Sequence, residues 1–181
     1  MMFKRQIAAA LIVLAAAVCA PLGFATPAVA KDDAQLTVGV GPFGFGVASK
    51  PDEVEGRAEY RFAWGFLGTK DWFRGFKPLL GVTANTGGSA FVYAGLAAPM
   101  VWDGGRWEIV PEGGIGYYRQ GKGLFLGGER LFHVGLNASY AVTDSGRLGV
   151  GIYHISNANT YRKNPGVNSI LVTWAFTFGD R

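Results

Sequence analysis

Period-two alternation of apolar and polar residues recurs along the chain once its first thirty residues are passed. The clearest early case runs from Glu55 to Leu67, where Arg57, Glu59 and Arg61 interleave with Ala58, Tyr60, Phe62, Trp64 and Phe66. Segments of this kind predict eight strands: Ala34–Val47, Val54–Leu67, Pro78–Gly87, Ala90–Val101, Trp107–Arg119, Leu131–Val142, Arg147–Ala158 and Asn168–Phe178. Turn-forming runs separate several of them, among them Asn85-Thr86-Gly87-Gly88, Asp103-Gly104-Gly105, Gly121-Lys122-Gly123 and Thr143-Asp144-Ser145-Gly146. Only Lys70 to Lys77 offers a short helical turn.

The last segment discriminates between a soluble sandwich and a membrane barrel. Ile170, Val172, Trp174, Phe176 and Phe178 share one face, opposite Ser169, Leu171, Thr173, Ala175 and Thr177. A continuous aliphatic and aromatic face opposite a small, mildly polar one suits a wall with lipid outside. Closure satisfies every backbone N–H and C=O within the bilayer, and eight strands leave a lumen filled by side chains rather than a pore. The expected fold is an all-β, eight-stranded antiparallel transmembrane β-barrel, with a secreted soluble β-protein as the rival.

The first thirty residues fit that address. Lys4 and Arg5 precede an apolar run, and Ala28-Val29-Ala30 places small residues where a signal peptidase reads, so residues 1–30 are expected to be a cleaved signal peptide and residues 31–181 the barrel domain. The single cysteine, Cys19, leaves with the leader, which excludes a disulfide or thiolate metal site in the mature chain. The formal charge of +4 falls by two with Lys4 and Arg5, and no basic tract points to nucleic acid.

One segment breaks the pattern. His154 and Ser156 fall on the parity of Leu148, Val150 and Ile152, so the seventh strand places an imidazole and a hydroxyl on its greasy face. Residues two apart on one face lie roughly 7 Å apart at Cα. Asn168 shares the outward parity of Ile170 and Val172, and the 158–167 connection brings it beside the end of the seventh strand. His154, Ser156 and Asn168 together have the composition of a base, a nucleophile and an orienting residue. The plainer reading is that polar residues at a membrane rim reach headgroups or water.

The runs His154-Ile155-Ser156-Asn157-Ala158 and Asn164-Pro165-Gly166-Val167-Asn168 resemble the signature of the lipid A 3-O-deacylase (PagL) family. The resemblance is strong over Tyr153 to Asn168 and architectural elsewhere. It implies an eight-stranded outer-membrane barrel that hydrolyses the acyl ester at position 3 of lipid A in lipopolysaccharide. Under it Ser156 is the nucleophile, His154 the base, and the Asn159 N–H and Asn164 side chain the oxyanion donors, with Asn157 in support. Arg162 and Lys163, in the loop above, would meet lipid A phosphates. No metal or cofactor is implied. The sequence departs from the family where a glutamate is expected: Asn168 occupies the position fourteen residues after His154. An amide fixes an imidazole's tautomer without stabilising its cation by charge. Glu129 is the nearest substitute by sequence, and a non-catalytic structural or adhesive barrel is the alternative.

The remaining candidates read as structural. His133 lies on the parity of Asn137 and Ser139 and belongs to the lumen, as do Arg57, Glu59 and Arg61. Two histidines on opposite faces without a cysteine make a poor zinc site. The glycines from Gly39 to Gly46 precede no helix and so form no nucleotide loop.

Overall fold

The computed structural model describes residues 33–45, 53–69 and 71–179; the expected signal peptide lies outside them. The strands are β1 (Ala34–Phe43), β2 (Glu53–Arg61), β3 (Lys77–Asn85), β4 (Ala90–Ala97), β5 (Met100–Trp102), β6 (Trp107–Arg119), β7 (Arg130–Ala141), β8 (Gly146–Ser156) and β9 (Val167–Phe178). Every pairing is antiparallel between chain neighbours, and β1 also pairs with β9, from Ala34↔Phe178 to Phe43↔Ser169. β4 pairs with β6 directly, so the eight long strands close into a barrel.

Two sequence expectations need correction. The fourth strand is split at Ala98-Pro99, because Pro99 has no N–H for the ladder; β5 resumes the pairing with β6 from Met100↔Ile109. No helix forms over 71–77. The β2–β3 connection instead folds back on itself, with reciprocal Phe66 and Phe76 backbone hydrogen bonds of 3.1 and 2.9 Å. Contacts of Phe76 with Phe66 and Phe73, 5.8 and 5.4 Å between ring centres, outweigh the weak local helix preference there.

Alternation sorts the side chains into two environments. Inside the barrel, Arg57 pairs with Glu59 at 2.8 Å and with Glu112, while its guanidinium lies 3.7 Å over the Tyr153 ring. Toward the end where β1 begins and β9 finishes, Glu108 accepts from Arg61 at 2.6 Å and faces Arg147 at 3.2 Å. Breaking one partner of such a pair costs about 3–5 kcal/mol, because it strands the other charge away from water.

The outer wall is apolar. Val134, Ile152 and Val172 each expose more than half their surface, which only a lipid environment makes inexpensive. Aromatic side chains collect toward the termini: Trp107 packs on Tyr140 at 4.9 Å and Trp174 on Phe176 at 6.1 Å. The opposite end carries the 86–89, 120–129 and 157–166 connections.

Candidate active site

β8 alternates to its last residue, and that alone aims its side chains. Tyr153 and Ile155 are buried inside, while His154 and Ser156 stand half-buried on the outer wall. Across the ladder, His154 faces Val134 of β7 on one side and Asn168 of β9 on the other. Ser156 faces Phe132. Val134 lies in this row and Ile152, Ile170 and Leu136 lie below it, so the polar groups cap an apolar surface.

His154 Nδ1 and Asn168 Oδ1 are 2.8 Å apart. The orientation of the amide is itself determined, since Asn168 Nδ2 donates to the Phe45 carbonyl at 3.4 Å. Turning the amide over would face two acceptors, Oδ1 and the Phe45 carbonyl. The Gly44 and Phe45 N–H groups both donate to the Asn168 carbonyl at 2.9 Å, so the end of β1 grips this residue from backbone and side chain. Because Oδ1 can only accept, the imidazole donates from Nδ1–H and keeps its lone pair on Nε2, the tautomer a general base needs.

Gly166 completes the seat. Its φ is +62°, and a Cβ there would lie 2.8 Å from His154 Cε1 and 3.4 Å from Nε2. Any side chain at that position strains the backbone and presses on the ring. Among the described residues, Ser156 Oγ has no hydrogen-bond partner. The hydroxyl is therefore free to meet a substrate or the imidazole, as is common in sites without substrate.

The 157–166 connection is built on Asn157, which is fully buried. Its side-chain Nδ2 donates to the carbonyls of Leu126 at 2.9 Å and Lys163 at 2.6 Å, tying this connection to the neighbouring 120–129 one. Its N–H donates to Asn164 Oδ1 at 3.0 Å, and its carbonyl accepts from Thr160 N and Oγ1 at 2.9 and 2.7 Å. Ala158 and Asn159 are both left-handed, with φ of 48° and 64°. That turn leaves the Asn159 N–H without an acceptor among the described residues. Asn164 Nδ2 donates to Asn159 Oδ1 at 3.2 Å, which keeps its donor end beside the same turn.

The other candidates divide. Arg162 and Lys163 are exposed in the loop. Glu129 is not joined to His154; its carboxylate accepts from the Tyr117 hydroxyl on the outer wall. His133 is buried in the lumen 4.2 Å from the Tyr93 ring, with neither ring nitrogen hydrogen-bonded. Glu59, Glu112 and His133 present ligand-type atoms within 4.8 Å of one another, but Arg57 pairs with both carboxylates and Tyr93 donates to Glu59 at 2.7 Å. That set is an ion-pair network already supplied with its cation. Sequence reasoning passed over the Phe45 carbonyl, which no side-chain pattern marks, and the close approach of Gly166, whose one signal is the Pro165-Gly166 pair.

The family model described as "Lipid A 3-O-deacylase (PagL)" matches residues 54–177. Among solved structures, the crystal structure of the outer-membrane enzyme PagL superposes with a TM-score of 0.60 at 17% identity, covering 80% of this chain and 99% of that one. A de novo designed transmembrane β-barrel follows at 0.57 and 13% identity, covering 82% and 98%. Neisserial surface protein A superposes at 0.53 and 11% identity, again over 82% and 98%. Among curated proteins no match was found.

Proposed function

The chain belongs to the lipid A 3-O-deacylase (PagL) family and resides in the bacterial outer membrane, and from that premise we propose that it is a serine esterase that removes the acyl chain at position 3 of lipid A. The observation that carries this reading is the 2.8 Å contact of His154 with a doubly anchored Asn168 on the lipid-facing wall. A purely structural barrel has little use for an imidazole whose tautomer is fixed and whose Nε2 is left open at the lipid boundary.

In the proposed reaction the substrate stays in the outer leaflet and approaches sideways, its acyl chains lying on Ile152, Ile170, Val134 and Leu136. Ser156 Oγ attacks the ester carbonyl carbon while His154 Nε2 takes its proton. The carbonyl oxygen becomes an anion, received by the Asn159 N–H and by Asn164 Nδ2. Collapse expels the sugar 3-oxygen, which His154 reprotonates. A water, deprotonated by His154, then releases the fatty acid from Ser156. Asn168 orients the ring throughout, yet its neutral amide contributes no charge to stabilise the imidazolium, so turnover is slower than with a carboxylate. No step calls for a metal or cofactor.

A second reading has one observation in its favour: an amide stands where the family expects glutamate, and Glu129 is joined to Tyr117 instead. On that reading the barrel is non-catalytic and serves a structural or adhesive role. A serine-directed fluorophosphonate, offered to the folded barrel in detergent, separates the two. An esterase is labelled at Ser156, and the label is lost in both Ser156→Ala and His154→Ala. A barrel that takes no label while migrating as folded protein is idle.

A further inference from the structure

Above the proposed nucleophile the outer wall changes character within one step of the ladder. Arg130, Phe132 and Val134 share the outward face of β7. Phe132 is the partner of Ser156, so Arg130 lies two residues nearer the loops, roughly 7 Å along the strand. Its other neighbour is Tyr117 of β6, also exposed on the outer wall. The guanidinium is not adrift. Hydrogen bonding from Arg130 holds the Tyr161 phenol below its ordinary pKa. Tyr161 in turn lies where a Cβ at Gly128 would sit, 2.2 Å from its ring, so the small residue makes room for the ring. Glu129, next to Arg130 in the chain, is occupied by Tyr117.

We propose that Arg130, seated against Tyr161, binds a phosphate of the lipid headgroup directly above Ser156 and so selects which ester reaches the nucleophile. This rests on the reading of the chain as a lipid A esterase, and it displaces Arg162 and Lys163 as the principal phosphate contacts. The reasons are geometric. Arg162 and Lys163 are exposed on a connection that faces solvent, whereas Arg130 projects from a strand, on the wall along which acyl chains must lie. A planar guanidinium with one edge on Tyr161 presents its other edge to a phosphate, and can do so with two parallel hydrogen bonds. At the height of the sugar headgroup, a cation over the nucleophile fixes how far a phosphorylated glucosamine descends, and therefore which of its acyl esters faces Ser156.

The test is binding by the Ser156→Ala barrel, folded in detergent micelles, so that hydrolysis is not required. Bis-phosphorylated lipid A is compared with the same lipid after removal of its phosphates, before and after adding Arg130→Gln or Arg130→Lys. The expected preference for the phosphorylated lipid is about tenfold, as for one charge-assisted contact in a partly wet site. Arg130→Gln abolishes that preference, and Arg130→Lys retains part of it. A preference that survives Arg130→Gln overturns the proposal, as does its absence from the parent barrel. Inorganic phosphate at millimolar concentration is expected not to compete; full competition would make this a free-phosphate site and refute the headgroup assignment. In the catalytic background, Arg130→Gln is expected to raise KM for the phosphorylated substrate and to loosen the choice of which acyl ester is cleaved. A lipid that binds as described without being cleaved by the parent chain counts against the esterase reading alone.

Discussion

The two histidines of the barrel sit in adjacent rows of one ladder, yet they inhabit opposite chemistries. His133 of β7 pairs with Ile155, and His154 of β8 pairs with Val134. One residue of parity separates them. His133 points inward, is 2% exposed, and lies against Tyr93 and Phe91 with no hydrogen bond to either nitrogen. His154 points outward, gives Nδ1 to Asn168 and leaves Nε2 at a surface that lipid can reach. Burial is thus a poor guide to function in a barrel of this size. The lumen carries the densest charge network and holds the fold, while the proposed chemistry belongs to the sparse polar cluster on the greasy side.

Substitutions that exploit the contrast begin with the largest effect. Ser156→Ala or His154→Ala should lower deacylation by about 10³-fold or more, since nucleophile and base act as a unit. His133→Phe should leave the rate within about twofold and change stability little, because neither ring nitrogen makes a hydrogen bond to lose. Deacylation of purified lipid A, followed by release of the hydroxy fatty acid, compares the three. Equal losses at both histidines would dissolve the distinction.

Gly166→Ala follows. A methyl group 2.8 Å from Cε1, on a left-handed backbone, must displace the imidazole, and kcat should fall about 10²-fold while the barrel stays folded. Asn168 sharpens the same point in both directions. Asn168→Ala frees the tautomer and should cost about tenfold to 10²-fold, whereas Asn168→Glu supplies the missing charge and should raise kcat by at least tenfold. A glutamate that gives no gain would mean that orientation alone limits the ring.

The smallest effect on rate, and the largest on folding, is expected inside. Glu112→Gln leaves Arg57 with one charged partner and should lower stability by about 3 kcal/mol, read as urea unfolding in vesicles by heat-modified gel mobility. Activity per folded molecule should be unchanged.

Much of this was legible from alternation. Eight strands, the inward set Arg57, Glu59, Arg61 and His133, and the outward set His154, Ser156 and Asn168 all follow from period two, because a side chain in a barrel has only two directions. What period two does not encode is where the chain stops obeying it. Pro99 interrupts a strand through a missing donor, and the β2–β3 connection gives up a helical turn for contacts of Phe76 with Phe66 and Phe73 that local propensity does not encode. At the site, the pairing of Asn168 with His154 was readable from the hairpin. The Phe45 carbonyl that orients the amide comes from the far end of the chain, 123 residues away, and barrel closure alone delivers it. Arg130 lay one residue outside the strand expected from Leu131, and its significance depends on Tyr161, which a loop brings to it.

The central claim is that a neutral Asn168 suffices to make Ser156 a nucleophile toward lipid A. Mass spectrometry of lipid A from cells producing the chain, beside cells producing Ser156→Ala at equal outer-membrane abundance, tests it most directly. Loss of one hydroxyacyl chain with the parent protein, and intact lipid A with the variant, is the predicted result. Intact lipid A in both, from barrels shown to be folded, would contradict it.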